Sequence, residues 1–154
     1  MLMTLRANIT DALKQAMKDR AADRLSTLRL VSAAIKDMDI ALRGEGRDDG
    51  ASEADVLQIL SKMVKQRQES ARTYEEGGRL DLAERETNEI TIIEEFLPKK
   101  LTDDEVSAAI DAAISEVGAS SIRDMGKIMG ALKSKYTGQM DFGRVGALVK
   151  DRLN

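Results

Sequence analysis

Pro98 is the only proline among 154 residues, and it interrupts a chain that otherwise reads as one helical pattern after another. Its ring removes a backbone donor and pushes Leu97 out of the α region, so a helix arriving through Glu94-Glu95-Phe96 must stop there. A second helix is predicted to start at once. In Thr102-Asp103-Asp104-Glu105 the hydroxyl can take the amide three residues on while the Glu105 carboxylate reaches back, and Asp103 and Asp104 suit the positive end of a helix dipole. The stretch predicts a larger helical body over residues 1–97, a joint over 98–101 and a smaller tail over 102–154.

The periodicity on either side is helical throughout. Leu2, Leu5, Ile9, Leu13, Ala16 and Met17 recur at three- and four-residue spacing, as do Leu25, Leu28, Val31, Ile35, Met38 and Leu42. Gly44-Glu45-Gly46-Arg47-Asp48-Asp49-Gly50 then predicts an exposed loop. Ser52 with Asp55 signals a third start, leading to Val56, Ile59, Leu60, Met63, Val64, Ala71 and Tyr74 before Gly77-Gly78. Asp81 with Glu84 reads as the cap of a fourth helix, whose face is Leu82, Ala83, Ile90, Ile93, Phe96 and Leu97. The run Ile90-Thr91-Ile92-Ile93 has strand propensity, but no partner run exists and it lies within a helical pattern, so helix is predicted. In the tail, Val106, Ala109, Ile110, Ala113, Ile114 and Val117 precede Gly118. Ser121 with Asp124 is read as capping a helix through Ile128 and Leu132, and Asp141 as opening a last one with Phe142, Val145, Val149 and Leu153 inward. The expectation is an all-α protein, with a bundle of about four helices joined to a three-helix tail.

Composition narrows the chemistry. The chain has no His and no Cys, so zinc or haem ligation of the usual kinds and Ser-His or Cys-His nucleophiles are unavailable. No catalytic residue, cofactor or metal site is nominated. Carboxylates are spread too evenly for spacing alone to select an acid and base pair. Two Phe, two Tyr and no Trp leave a core of aliphatic side chains with eight Met as gap fillers. No apolar run approaches membrane-spanning length, and the absence of Cys suits a reducing compartment, so the expectation is a cytoplasmic chain with no membrane partner.

Two features of the tail point to binding. Gly126 and Gly130 stand one turn apart in a helix, where each costs about 1 kcal/mol against Ala, so a close approach should compensate. The approaching backbone is either the last helix, through Gly143 and Gly146, or a phosphate backbone from outside. Charge is the second feature: residues 102–117 sum to −5, whereas residues 118–154 sum to +4 in a chain of net charge −3. Arg123, Lys127, Lys133, Lys135 and Arg144 belong to that basic set, and such a cluster can either neutralise phosphates or simply be a solvated face. In the body, Arg20, Arg24, Arg29, Lys36, Lys62, Lys65 and Arg67 lie among acids and are expected to form internal ion pairs.

Leu25-Ser26-Thr27-Leu28-Arg29, Val64-Lys65-Gln66-Arg67, Gly78-Arg79 with Asp81-Leu82, Phe96-Leu97-Pro98-Lys99-Lys100-Leu101, Gly118-Ala119-Ser120-Ser121 and Asp124-Met125-Gly126-Lys127-Ile128-Met129-Gly130 together resemble the YqeY-like family. These are small proteins similar to the C-terminal part of the B subunit of the glutamine-dependent aspartyl/glutamyl-tRNA amidotransferase. The resemblance implies a helical body with a three-helix tail, and a role related to holding tRNA. It also carries the family label of a carbon–nitrogen ligase with glutamine as amido donor, although the domains for glutamine hydrolysis and the kinase step lie outside the region of resemblance. The leading expectation is a noncatalytic module for tRNA or another structured RNA, using Arg123, Gly126, Lys127, Gly130, Lys133, Lys135 and Arg144. The second is a protein docking module for an aminoacyl-tRNA synthetase or amidotransferase component. The third is amide transfer by this chain alone, which needs an activated nucleophile and an ATP site that the residues do not offer.

Overall fold

The computed structural model describes residues 4–153, and Leu2 of the first stripe lies outside them. The described residues form seven α-helices and one 3-10 turn, with no strand. They are α1 Leu5–Asp19, α2 Ala22–Gly44, α3 Glu53–Glu76, α4 Leu80–Glu94, α5 Asp103–Val117, the 3-10 turn Ile122–Asp124, α6 Met125–Lys135 and α7 Phe142–Leu153. The chain divides into two compact units, Met1–Leu97 and Pro98–Asn154.

In the first unit α3 packs most extensively on α4, and α1 packs on α2. Ser52 accepts the Asp55 amide and Asp55 returns a bond to the Ser52 amide, so α3 starts with a reciprocal cap. The β-branched run is helical, and Ile90 and Ile93 are buried within α4. Packing overrides propensity here, because the helical spacing of these residues delivers them to one core with Val31, Val56, Leu60 and Val64. Phe96 and Leu97 lie past the end of α4 and close over the same cluster. Of the neighbours Ala16 and Met17, Ala16 is buried while Met17 is exposed, since consecutive helical residues point about 100° apart and Met17 falls on the solvent side of α1.

Two helix starts differ from expectation. Helix α4 begins at Leu80 after Arg79, with no side-chain cap, and Asp81 pairs with the Arg79 guanidinium instead of capping. In the tail the Ser121 hydroxyl accepts the Arg123 amide only two residues on, and the Asp124 carboxylate reaches back to the Ser120 amide. The 3-10 turn itself is closed by the Asp124 amide on the Ser121 carbonyl and the Met125 amide on the Ile122 carbonyl, and α6 starts only at Met125. Thr102 and Glu105 form the expected reciprocal cap on α5. Asp141 accepts the amides of Gly143 and Arg144 at the start of α7. The tail core is Ala109, Ile110, Ala113, Ile128, Leu132, Met140, Val145 and Val149.

Candidate nucleic-acid interface

Helix α6 is amphipathic. Ile128 and Leu132 are buried on one side, with Met125 and Met129 beside them against the tail core. Gly126 and Gly130 fall on the opposite side, where both are exposed and a Cβ added to either would meet nothing within 4 Å. The tight packing weighed for this pair is therefore not made. The glycine of α7 that faces α6 is Gly146, where an added Cβ would make ordinary contact with the terminal methyls of Met125 and Met129 at 3.7 and 3.8 Å. Two glycines on α6 thus carry the helix cost with no neighbour of their own chain pressed on them.

The cations divide by helical register. Lys133 continues the row of Gly126 and Gly130, and Lys127 flanks that row, all exposed. Arg123 is exposed in the 3-10 turn just before it. Lys135 lies about half a turn away from Gly126 on the helix, with its ammonium 5.6 Å from the centre of the Tyr136 ring. Arg144 sits in the first turn of α7 and meets Asp103 of α5 at 3.4 Å. The structure thus brings Arg123, Gly126, Lys127, Gly130 and Lys133 to one face and puts Lys135 and Arg144 elsewhere on the tail. Lys150 is a further candidate: it is exposed one turn beyond Gly146 on the flank of α7 that faces α6. Its spacing from Gly146 was the signal, but nothing in the sequence says that Gly146 is the glycine that meets α6.

The cations of the body are used internally where the structure pairs them. Arg67 donates to Glu89 at 2.8 Å across α3 and α4, and Arg24 to Glu95. A polar groove of about 420 Å³ runs between α2 and α4, lined by Asp23, Thr27, Asp81, Glu84 and Asn88 among others. The Arg79 guanidinium holds the Asp81 carboxyl below the usual carboxylate range, which makes it a poor proton donor near neutrality. Among the described residues, no group of three or more His, Cys, Asp or Glu is placed to hold a metal ion. Among the described residues, no helix is long and apolar enough to cross a membrane.

The family described as Yqey-like protein matches residues 6–153. An uncharacterized protein of Schizosaccharomyces pombe is 32% identical over 95 residues, covering 62% of this chain and 73% of that protein. The protein called Altered inheritance of mitochondria protein 41, mitochondrial, of Lachancea thermotolerans is 33% identical over 111 residues, covering 72% of this chain and 56% of that one. Its namesake from Clavispora lusitaniae is 32% identical over 111 residues, covering 70% and 61%. The chain therefore spans less than two thirds of these two relatives. Their names overturn the expectation of a cytoplasmic location. That expectation rested on the absence of cysteine and of a membrane-spanning apolar run, and neither feature distinguishes one aqueous compartment from another.

Proposed function

The chain belongs to the Yqey-like protein family, and on that premise we propose that it is a noncatalytic helical module that binds structured RNA, with tRNA as the leading ligand. The observation that carries the reading is the pair Gly126 and Gly130, exposed and open beside Arg123, Lys127 and Lys133. A helix surface stripped of Cβ atoms lets a sugar–phosphate backbone come close to the main chain, while the flanking cations neutralise phosphates. From Lys127 to Lys133 helix α6 advances about 9 Å at 1.5 Å per residue, and Arg123 in the 3-10 turn before it extends the row, enough for two or three phosphates of one strand. Amide transfer is not part of the proposal.

The test is fluorescence anisotropy with bulk tRNA at two or more salt concentrations. With about three phosphates neutralised, log affinity should fall with log salt at a slope of about −2 to −3. Lys127→Glu with Lys133→Glu should remove most of the affinity, and Lys135→Glu should change it least. Absence of binding at low salt, or binding indifferent to the Lys127 and Lys133 changes, overturns the reading.

A further inference from the structure

The body carries a groove that the RNA reading does not use. It opens between α2 and α4 with a volume of about 420 Å³, within the range of about 300–1,000 Å³ found for ligand pockets. Thr27 of α2 is only 1% exposed, yet it lines this groove. The hydroxyls of Thr73, Thr87 and Thr91 each donate to the carbonyl four residues back, whereas that of Thr27, also inside a helix, bonds no group among the described residues. No buried side-chain oxygen among those residues is cut off from both a partner and solvent, so the Thr27 hydroxyl opens onto the groove. A hydroxyl set this deep takes its partner from what occupies the groove.

The charges of the lining sort into used and free. Glu89 is taken up by Arg67 at 2.8 Å and Asp81 by Arg79 at 3.4 Å, both cations coming from outside the lining. Asp23 of α2 and Glu84 and Arg85 of α4 also line the groove, and among the described residues none of the three enters an ion pair. The free set is therefore two carboxylates and one guanidinium. The carboxylates stand on opposite walls, and no three acids among the described residues are placed to share a metal ion, so a matching ligand brings two separate cations. Ile92, half-buried in the same lining, offers apolar contact to the chain that links them.

We propose that this groove binds a small diamino monocarboxylic acid, with the chemistry of free lysine or ornithine. One ammonium meets Asp23, the other meets Glu84, and the carboxylate meets Arg85, so each free charge of the lining gains an opposite partner. Thr27 stands one turn from Asp23 on α2, and its hydroxyl accepts from the ammonium that Asp23 holds. A plain diamine leaves Arg85 facing cations, and an amino acid with one ammonium leaves a carboxylate unmatched. The site lies in the body and is independent of the RNA reading, which rests on α6.

The experiment titrates the isotopically labelled full chain with lysine and with ornithine and follows backbone amide shifts, with cadaverine, which lacks the carboxylate, and norleucine, which lacks the second ammonium, as controls. Shifts centred on Asp23, Thr27, Glu84 and Arg85 are expected with the two diamino acids, and binding about tenfold or more weaker with either control. Thr27→Val should weaken lysine about tenfold while Thr27→Ser, which keeps the hydroxyl, stays within about threefold of the parent chain. Arg85→Gln should weaken lysine about tenfold yet tighten cadaverine, and Glu84→Gln should weaken both. The circular dichroism spectrum and the tRNA affinity should stay unchanged in all four variants. No groove shift at tens of millimolar lysine, an equal response to cadaverine or norleucine, or lysine binding indifferent to Thr27→Val or to Arg85→Gln overturns the proposal.

Discussion

Asp39 on α2 is nearly buried, and its carboxylate accepts from the Arg6 guanidinium on α1 and from the Ala51 amide after the loop at 2.8 Å. Arg6 also donates to the Ala51 carbonyl, so one cluster of polar groups ties two helices to the loop that leads into α3. The Arg6 hydrogen bond, followed by the Ala51 amide, holds the Asp39 carboxyl below the usual carboxylate range against the opposing effect of burial. The folded state therefore gains stability that is fully present above about pH 4 and is lost as pH falls through the lowered value. Urea unfolding of Asp39→Asn should show a deficit of about 2–3 kcal/mol at pH 7 that narrows toward pH 3. Glycines supply a second prediction at this scale. A Cβ at Gly50 would lie 2.5 Å from the Asp39 carboxylate, at a φ of +74 that side chains resist, so Gly50→Ala should cost about 2 kcal/mol or more. Gly126→Ala and Gly130→Ala should do the opposite, each stabilising the tail by about 0.5–1 kcal/mol because the added methyl meets nothing. A stabilising change that also weakens tRNA binding would tie the open face to function.

Helix ends explain which elements local sequence could define. Thr102 and Ser52 cap their helices reciprocally, and Thr102→Ala should lower the stability of the tail by about 1 kcal/mol, read from hydrogen exchange of α5. Helix α1 ends less favourably. Arg20 sits at its C-cap with φ 54, the one non-glycine with positive φ among the described residues, and the Ala21 amide bonds back to the Ala16 carbonyl. Arg20→Gly should therefore raise the thermal midpoint, by about 1 kcal/mol in stability. The capping spacings at Asp81 and Ser121 misled because the side chains found nearer partners: Arg79 for Asp81, and the Arg123 amide for Ser121. A spacing of three residues defines where a cap is possible, and local competition decides whether it is made.

At the scale of the whole molecule, each hydrophobic cluster draws its members from one unit. The body core uses Ile9, Val31, Leu60 and Ile93, and the tail core uses Ile110, Ile128, Leu132 and Val149, all buried. Leu60→Ala and Ile110→Ala should each cost about 2–5 kcal/mol, with hydrogen exchange showing the loss in the unit that carries the change. The helices, most of their inward faces and the reciprocal caps at Ser52 and Thr102 were legible in the sequence, because each depends on residues within four positions along the chain. The strand propensity of Ile90 to Ile93 yielded to helical periodicity for the same reason: the longer pattern reports burial. Contacts between distant segments were not legible. Which glycine meets a neighbouring helix, which guanidinium reaches Asp39, and which cations share a face with Gly126 depend on how helices pack, and that is set by the fit of side chains far apart in sequence. Lys135 and Arg144 counted in the same basic sum as Lys127 and Lys133, yet the fold sends them to other surfaces. Residue order determined the helices and their polarity, and tertiary packing alone decided which of their exposed faces remain open to a partner.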